Sequence, residues 1–179
     1  PLLVVAHHPS VSLFEVGQPA SPELEALAET GNTMPFEELL ATVPGVRGVN
    51  TSEGLLAPGA SKKIYVKGHR GDRISLAGML IPTNDGFVAV DGAGPFGRGT
   101  QSLYAPAYDS GTEINDELCA SIPGPAYDEC GGDGSGGAPE GGEEGFVRIH
   151  EGMHGVGDFD EARRDWRNPV AKVQIRRVR

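Results

Sequence analysis

The feature that most constrains this chain is a series of short runs rich in β-branched and aromatic residues, each bounded by turn residues. Eight such runs lie at residues 2–6, 11–16, 63–67, 73–80, 87–91, 102–109, 146–150 and 170–178. Alternating or β-branched runs of this length, set between Gly-, Pro- and Asp-rich turns, are typical of β-strands. The chain also has 27 glycines and 14 prolines, which favours many connections over a helical bundle. The sequence therefore predicts an all-β fold, an eight-stranded antiparallel β-sandwich.

Two segments near the N-terminus carry helix signals instead. They are PELEALAET at 22–30 and MPFEELLATV at 34–43. Ser21 can cap the first helix, Pro22 occupies its first helical position, and Gly31 follows its last turn. We expect two short helices inserted near the N-terminus of the sandwich, followed by a loop rich in Gly, Pro and Ser at 44–61.

A length of 179 residues predicts one domain that spans residues 1–179. Within it, residues 117–145 form a contrasting stretch that includes CGGDGSGGAPEGGEEG and is low in complexity. This composition is typical of a flexible glycine-rich loop.

Charge and cysteine content restrict the class of protein. The formal net charge of −10 argues against nucleic-acid binding, which needs a basic surface. No apolar run approaches the roughly 18 residues of a membrane span. Cys119 and Cys130 are the chain's two cysteines, and they either form a disulfide or ligate a metal. We predict the disulfide, because no second cysteine pair is present, and with it a secreted, extracellular or cell-surface location.

The pentapeptide HEGMH at 150–154 matches H-E-x-x-H, in which two histidines bind zinc and the glutamate acts as a base. His150 and His154 would share one face only on a helix. Glycines 152, 155 and 157 disfavour a helix there, and GFVRI before the motif alternates like a strand. We therefore predict a strand end followed by a turn, and no enzyme, with a zinc peptidase using His150, Glu151 and His154 as the alternative. RGD at 70–72 is likewise ordinary turn chemistry between two predicted strands.

Carboxylates gather at the ends of two predicted strands. DGFVAVDG carries Asp85 and Asp91, and PAYDSGTEIND carries Asp109, Glu113 and Asp116. Ca²⁺ takes six to eight oxygen ligands, including several carboxylates. From composition alone, these acids are equally compatible with a calcium site and with ordinary turns, where Asp is favoured.

Three ordered motifs, DGFVAVD, YDSGTE and NPVAKVQI, resemble the spondin domain found in F-spondin and mindin. The opening LLVVAHH, LFEVGQPAS and LEALAETGN is similar to the stretch that leads into the spondin core. The resemblance covers nearly the whole chain and implies an eight-stranded sandwich that binds calcium at one end. The ligands it implies are Asp91, Asp109 and Glu113, with the Val88 carbonyl as a backbone contributor. Glu113 replaces the aspartate of the family pattern, and Asp116 is an alternative ligand.

The resemblance also implies a function in extracellular adhesion, matrix or surface assembly, with an extracellular protein or matrix partner. The 179 residues themselves contain no thrombospondin-type repeat. The family's first strand would precede Pro1, so we expect the chain to begin inside the domain without that strand. An open sheet edge can recruit a strand from another chain, which makes self-association, as a structural subunit of a multimer or fibre, an alternative role.

Overall fold

The computed structural model describes residues 1–94, 99–124, 127–131, 136–139 and 141–178. Within these residues the chain forms eight strands and three short helices. The strands are β1 (Leu3–His7), β2 (Val46–Thr51), β3 (Arg73–Met79), β4 (Gly86–Ala93), β5 (Thr100–Ala105), β6 (Ala107–Asp109), β7 (Arg148–Ile149) and β8 (Ala171–Arg176). The helices are α1 (Pro22–Thr30), α2 (Met34–Thr42) and α3 (Glu161–Arg164).

The described strands form two antiparallel sheets. The larger has six strands in the order β2-β1-β3-β4-β6-β7, and the smaller pairs β5 with β8. The prediction of a mostly β, antiparallel chain is confirmed. The face-to-face packing of two sheets that defines a sandwich stays a prediction.

The main core lies between the larger sheet and the first two helices. Leu24 and Leu27 of α1 are fully buried, as are Leu3 of β1 and Phe87 of β4, and all belong to one cluster. The α1 helix starts where its sequence allows, because the Ser21 hydroxyl accepts the Leu24 N–H at 3.3 Å. Helical packing therefore covers one face of the sheet.

The predicted strand at 11–16 is wrong. This segment is a turn that Asp91 holds, since the Leu13 N–H donates to Asp91 Oδ1 at 3.1 Å and the Ser12 hydroxyl donates to Asp91 Oδ2. Phe14 packs edge-on against Phe87, with ring centroids 5.2 Å apart. The apolar residues that suggested a strand are anchors for the crossing from β1 to α1.

The prediction is also wrong over 44–67. The expected loop contains β2, which pairs antiparallel with β1, although Pro44 and several glycines suggested irregular structure. The expected strand at 63–67 has no strand assignment. It runs beside β2, where the Asn50 side chain donates to the Tyr65 carbonyl at 2.7 Å. A side-chain bond thus replaces part of a regular backbone ladder.

Two further strands differ from the predicted bounds. The run 102–109 is divided at Pro106, so that β5 joins β8 while β6 joins β4 and β7. Proline has no N–H to continue a ladder, which explains the break. The run 146–150 contributes only Arg148–Ile149 to a strand, and α3 follows in a stretch where no helix was predicted.

A second, smaller core surrounds the predicted disulfide. Cys119 and Cys130 are bonded and pack against Ile122, Tyr127 and Phe159. Four residues of the predicted flexible loop 117–145 therefore lie in this core, its residues 125–126, 132–135 and 140 lie outside the described residues, and its flexibility stays a prediction. Among the described residues, no helix is long and apolar enough to cross a membrane.

Candidate metal centre

The turn between β3 and β4 buries Asp85 completely. Its Oδ2 accepts hydrogen bonds from the Ser110 hydroxyl at 3.0 Å, the Thr112 N–H at 2.8 Å and the Glu113 N–H at 3.1 Å. The Ser-Gly-Thr turn after β6 therefore wraps around one carboxylate oxygen. This arrangement follows from register, because Gly86 pairs with Asp109 across β4 and β6.

Asp109 is also buried, at 1% exposure, and has a cationic partner. Arg148 Nη2 lies 3.0 Å from Asp109 Oδ2 and donates to Glu144 Oε1 at 2.6 Å. Asn115 Nδ2 donates to Asp109 Oδ2 at 2.7 Å. One guanidinium thus serves two carboxylates, while Asp85 and Glu113 have no cation of their own within 4.0 Å among the described residues.

Three carboxylate oxygens of this group are buried and accept no hydrogen bond from the described residues. They are Asp85 Oδ1, Glu113 Oε2 and Glu144 Oε2. Buried polar atoms are normally satisfied, and an unpaired charged oxygen costs more than a neutral one. We call Asp85, Asp109, Glu113 and Glu144 the acidic cluster.

Two carboxyl groups of the acidic cluster, those of Asp109 and Glu113, have raised pKa values. Burial is the main cause that raises the pKa of Asp109 to about 6, and the neighbouring Asp85 charge raises it further. Burial likewise raises the pKa of Glu113 to about 7, with added repulsion from Glu29, Asp85 and Asp116. Both carboxyl groups bind protons more tightly than usual because burial disfavours their charged forms and neighbouring carboxylates repel them.

The structure does not bring Asp91 to these acids. Asp109 pairs with Gly86, and Asp91 lies five residues further along β4, or about 16 Å at 3.3 Å per residue. Its Oδ1 accepts the Ser75 hydroxyl at 2.7 Å as well as the Leu13 N–H. Val88 lies between the two, paired with Ala107. Of the predicted ligands, Asp109 and Glu113 lie beside Asp85, whereas Asp91 fastens the 12–14 turn.

The acidic cluster contains the kind of oxygen ligand that calcium prefers, but these ligands are not yet arranged as a complete coordination site. Among the described residues, no three His, Cys, Asp or Glu side chains already stand as a metal-binding group. Ca²⁺ accepts carboxylates, backbone carbonyls and water at 2.3–2.6 Å in flexible geometry. The three unpartnered oxygens are ligands of this type, and the remaining positions would come from backbone or water.

The HEGMH segment lacks the helix that its zinc motif requires. Strand β7 ends at Ile149, and residues 150–154 have no helical assignment, as the prediction of a strand end and a turn stated. His150 is 5% exposed and its Nδ1 accepts the Gly152 N–H at 3.0 Å. The His154 side chain is half exposed and lies 3.6 Å from Glu117.

Glu117 holds this loop from the other side. Its Oε1 accepts the His154 N–H at 2.6 Å, and its Oε2 accepts the Val156 N–H at 3.0 Å. Burial lowers the pKa of His150 to about 4, so the imidazole is neutral at physiological pH. These hydrogen bonds explain the backbone conformation of the loop, whereas His150 Nε2 is buried and has no hydrogen-bond partner among the described residues.

Comparison with known families decides what kind of domain this is. The chain matches Spondin_N over residues 1–94, which is more than half its length. It belongs to the Spondin_N family. No curated protein matches the chain. The spondin family is extracellular and generally not enzymatic, and the disulfide Cys119–Cys130 is compatible with such an oxidising location.

Within this spondin domain, the family match includes Asp85 and ends before Asp109 and Glu113. Sequence reasoning named Asp109 and Glu113 as ligands, included Asp85 only among the acids at the strand ends, and missed Glu144 and Arg148. The signal for Arg148 was its place in FVRIH, where an arginine interrupts an apolar run. Glu144 lies in a low-complexity stretch and gave no comparable signal.

Proposed function

We propose that this spondin domain acts in extracellular adhesion or assembly and that calcium stabilises it at the acidic cluster. The observation that carries the proposal is the set of three buried carboxylate oxygens, on Asp85, Glu113 and Glu144, that have no hydrogen-bond partner among the described residues. A divalent cation would supply the positive charge that Arg148 alone does not. Asp85, Glu113 and Glu144 would hold the ion with Asp109 beside it, and the ion's contribution would be electrostatic and structural.

The consequence for the fold is thermodynamic linkage. A cation that binds the folded chain and not the unfolded chain raises the free energy of unfolding by an amount that grows with its concentration. The acidic cluster joins the turn before β4 to the turn after β6, so the ion would fix two loops at one end of the sheet. A fixed loop surface is what an adhesive domain presents to a partner.

The test is thermal unfolding of the chain in EDTA and in 2 mM CaCl₂, with MgCl₂ at the same concentration as the control. We expect the midpoint to rise in calcium by several degrees and to move little in magnesium, which demands a stricter octahedral geometry. An unchanged midpoint in calcium would overturn the proposal. Isothermal titration calorimetry of the EDTA-treated, dialysed chain then gives stoichiometry, expected near one ion per chain.

Zinc peptidase activity is the alternative that the HEGMH pattern raised. Because the segment is not helical, its two histidines do not occupy successive turns of one helix face. Elemental analysis of the purified chain separates the two readings, since stoichiometric zinc that is lost in His150→Ala would favour the peptidase.

Assembly is the second role that an observation favours. Strand β8 pairs with β5 along one edge, and among the described residues no strand pairs with its other edge. Such an edge can accept a strand from a second chain. Sedimentation velocity across a concentration series tests self-association. A sedimentation coefficient that stays at the monomer value at every concentration would reject it.

A further inference from the structure

A basic surface on this acidic chain lies apart from the acidic cluster. Residues 44–81 carry six Lys or Arg against two Asp or Glu, a net charge of +4, whereas the whole chain carries −10. Three of the chain's four lysines lie at positions 62, 63 and 67. Charge is therefore separated along the molecule.

The lysines lie on a segment with regular alternation. Residues 62–67 run antiparallel to β2, because the Asn50 side chain bonds the Tyr65 carbonyl and a Cβ at Gly48 would contact the Lys67 carbonyl. Ile64 and Val66 are half-buried, whereas Lys63, Tyr65 and Lys67 are exposed. We call these three exposed residues the Lys-Tyr-Lys ladder.

The spacing of the ladder follows from its extended backbone. The segment has no strand assignment, but its exposed and half-buried residues alternate as in an extended chain. Alternate residues of an extended chain lie about 6.6 Å apart, which puts the two lysines about 13 Å apart with the tyrosine ring between them. Tyr65 is 66% exposed, as is Tyr104 on β5, so its ring is open to solvent. A flat aromatic face thus stands between two positive charges.

These charges are not neutralised within the protein. Among the described residues, Lys63, Lys67, Arg70 and Arg73 have no carboxylate within 4.0 Å. Asp72 lies nearby, but its Oδ2 accepts the His69 N–H at 2.5 Å and its Oδ1 lies 4.0 Å from Arg47. The same contacts engage the aspartate of the RGD tripeptide, so that carboxylate is not a free ligand.

The acidic cluster is too far away to cancel the ladder. The segment 62–67 and β6 are separated by β2, β1, β3 and β4, about 24 Å at 4.8 Å per strand. The Debye length at physiological ionic strength is about 8 Å. An approaching anion therefore experiences the local positive charge rather than the net charge of the chain.

We propose that the Lys-Tyr-Lys ladder binds an acidic polysaccharide, a polymer of sugar rings that carry carboxylate or sulfate groups. The lysine ammonium groups would contact successive anionic substituents, and a sugar ring would lie on the apolar face of Tyr65, whose hydroxyl could then hydrogen-bond the sugar. An extended ladder at a sheet edge suits a linear polymer. This inference does not depend on the calcium proposal.

Binding of heparin and of polygalacturonate to the full chain in 0.15 M NaCl tests the proposal, with neutral dextran as the reference polymer. We expect both acidic polymers to bind and dextran not to bind. The double variant Lys63→Ala/Lys67→Ala should lose at least tenfold in affinity and show a shallower dependence of log K on log salt. Tyr65→Ala should lose several-fold while its salt slope stays unchanged, because the ring contributes no charge.

Lys172→Ala is the matched control, since Lys172 is the remaining lysine and is exposed on β8, opposite Tyr104. It should bind both polymers like the unmodified chain. Equal affinity of the double variant and the unmodified chain would overturn the assignment. So would equal binding to duplex DNA or to vesicles containing phosphatidylglycerol, which would indicate a general polyanion or membrane surface. Circular dichroism confirms that each variant is folded, and binding in EDTA should match binding in calcium.

Discussion

The backbone N–H of Glu113 donates to Asp85 Oδ2 at 3.1 Å, which joins the turn after β6 to the turn before β4. The other oxygen of Asp85, Oδ1, is buried and accepts no hydrogen bond from the part of the chain that the structure describes. One side of this carboxylate therefore fixes protein structure, and the other is available to a cation. The candidate metal centre depends on that division.

Asp85→Asn should remove the calcium-dependent rise in the unfolding midpoint. The amide keeps the side-chain volume but loses the negative charge that a calcium ion requires. The measurement is differential scanning calorimetry in EDTA and in 2 mM CaCl₂. Asp91→Asn is the control: it should lower stability by about 1–3 kcal/mol because Asp91 accepts hydrogen bonds from Ser75 and Leu13, yet keep the full calcium increment. The reverse pattern would restore Asp91 as the ligand.

Stability in EDTA should fall as pH rises from about 4 to 7, as far as Asp109 and Glu113 contribute. Their pKa values are raised, to about 6 and about 7, so in this range the folded state holds protons that the unfolded state has released. Stability decreases with pH wherever the folded state binds more protons. Calcium should remove this decrease.

The measurement is urea unfolding at pH 5 and pH 7.5, and Glu113→Gln isolates one group from the rest of the chain. Gln does not titrate and carries no charge at pH 7.5. The free energy of unfolding of the variant minus that of the unmodified chain should therefore be larger at pH 7.5 than at pH 5. A difference independent of pH would show that the Glu113 carboxyl does not titrate abnormally.

Arg148→Ala should destabilise the domain more in EDTA than in calcium. Arg148 pairs with Asp109 at 3.0 Å, and removal of one partner of a buried pair costs roughly 3–5 kcal/mol. Arg148 is itself partly exposed, so we expect the lower end of that range. A calcium ion would replace part of the lost positive charge, and the calcium increment in the unfolding midpoint should therefore grow. An equal loss in both buffers would mean that the guanidinium acts through packing alone.

Sequence reasoning was correct where local signals determine structure. The Ser21 cap, Pro22 and Gly31 lie at the ends of α1 as predicted, because caps and helix-initiating proline depend on a few neighbouring residues. The same holds for β3 and β4, whose apolar runs are buried in the larger sheet. The disulfide followed from the presence of just two cysteines.

Sequence-based prediction failed where residues far apart in the chain determine the local structure. The sequence of segment 11–16 is typical of a strand. Hydrogen bonds from Ser12 and Leu13 to Asp91, which lies far along the chain, stabilise a turn there instead. The placement of the predicted ligands depends on distant partners for a related reason, and the ligand set itself stays a prediction. Asp85 and Asp91 both flank the β4 run, and only the pairing of Gly86 with Asp109 decides which of them faces Glu113. Register between strands is a tertiary property that no single run of residues encodes.

Reduction of the disulfide should loosen the smaller core before the larger sheet. Cys119 and Cys130 are 11 residues apart, and opening a loop of this size costs about 2–3 kcal/mol. Hydrogen exchange followed by mass spectrometry should show faster exchange over 117–131 and 153–164 in Cys119→Ala/Cys130→Ala, with β1, β3 and β4 still protected. Arg164→Ala is the companion variant, because Arg164 bonds Glu129 at 2.8 and 3.0 Å and packs over Tyr127 and Phe159. It should loosen the same two segments to a smaller extent, since its ion pair is partly exposed.

Uniformly faster exchange across both cores in the cysteine variant would show instead that the chain unfolds as one cooperative unit.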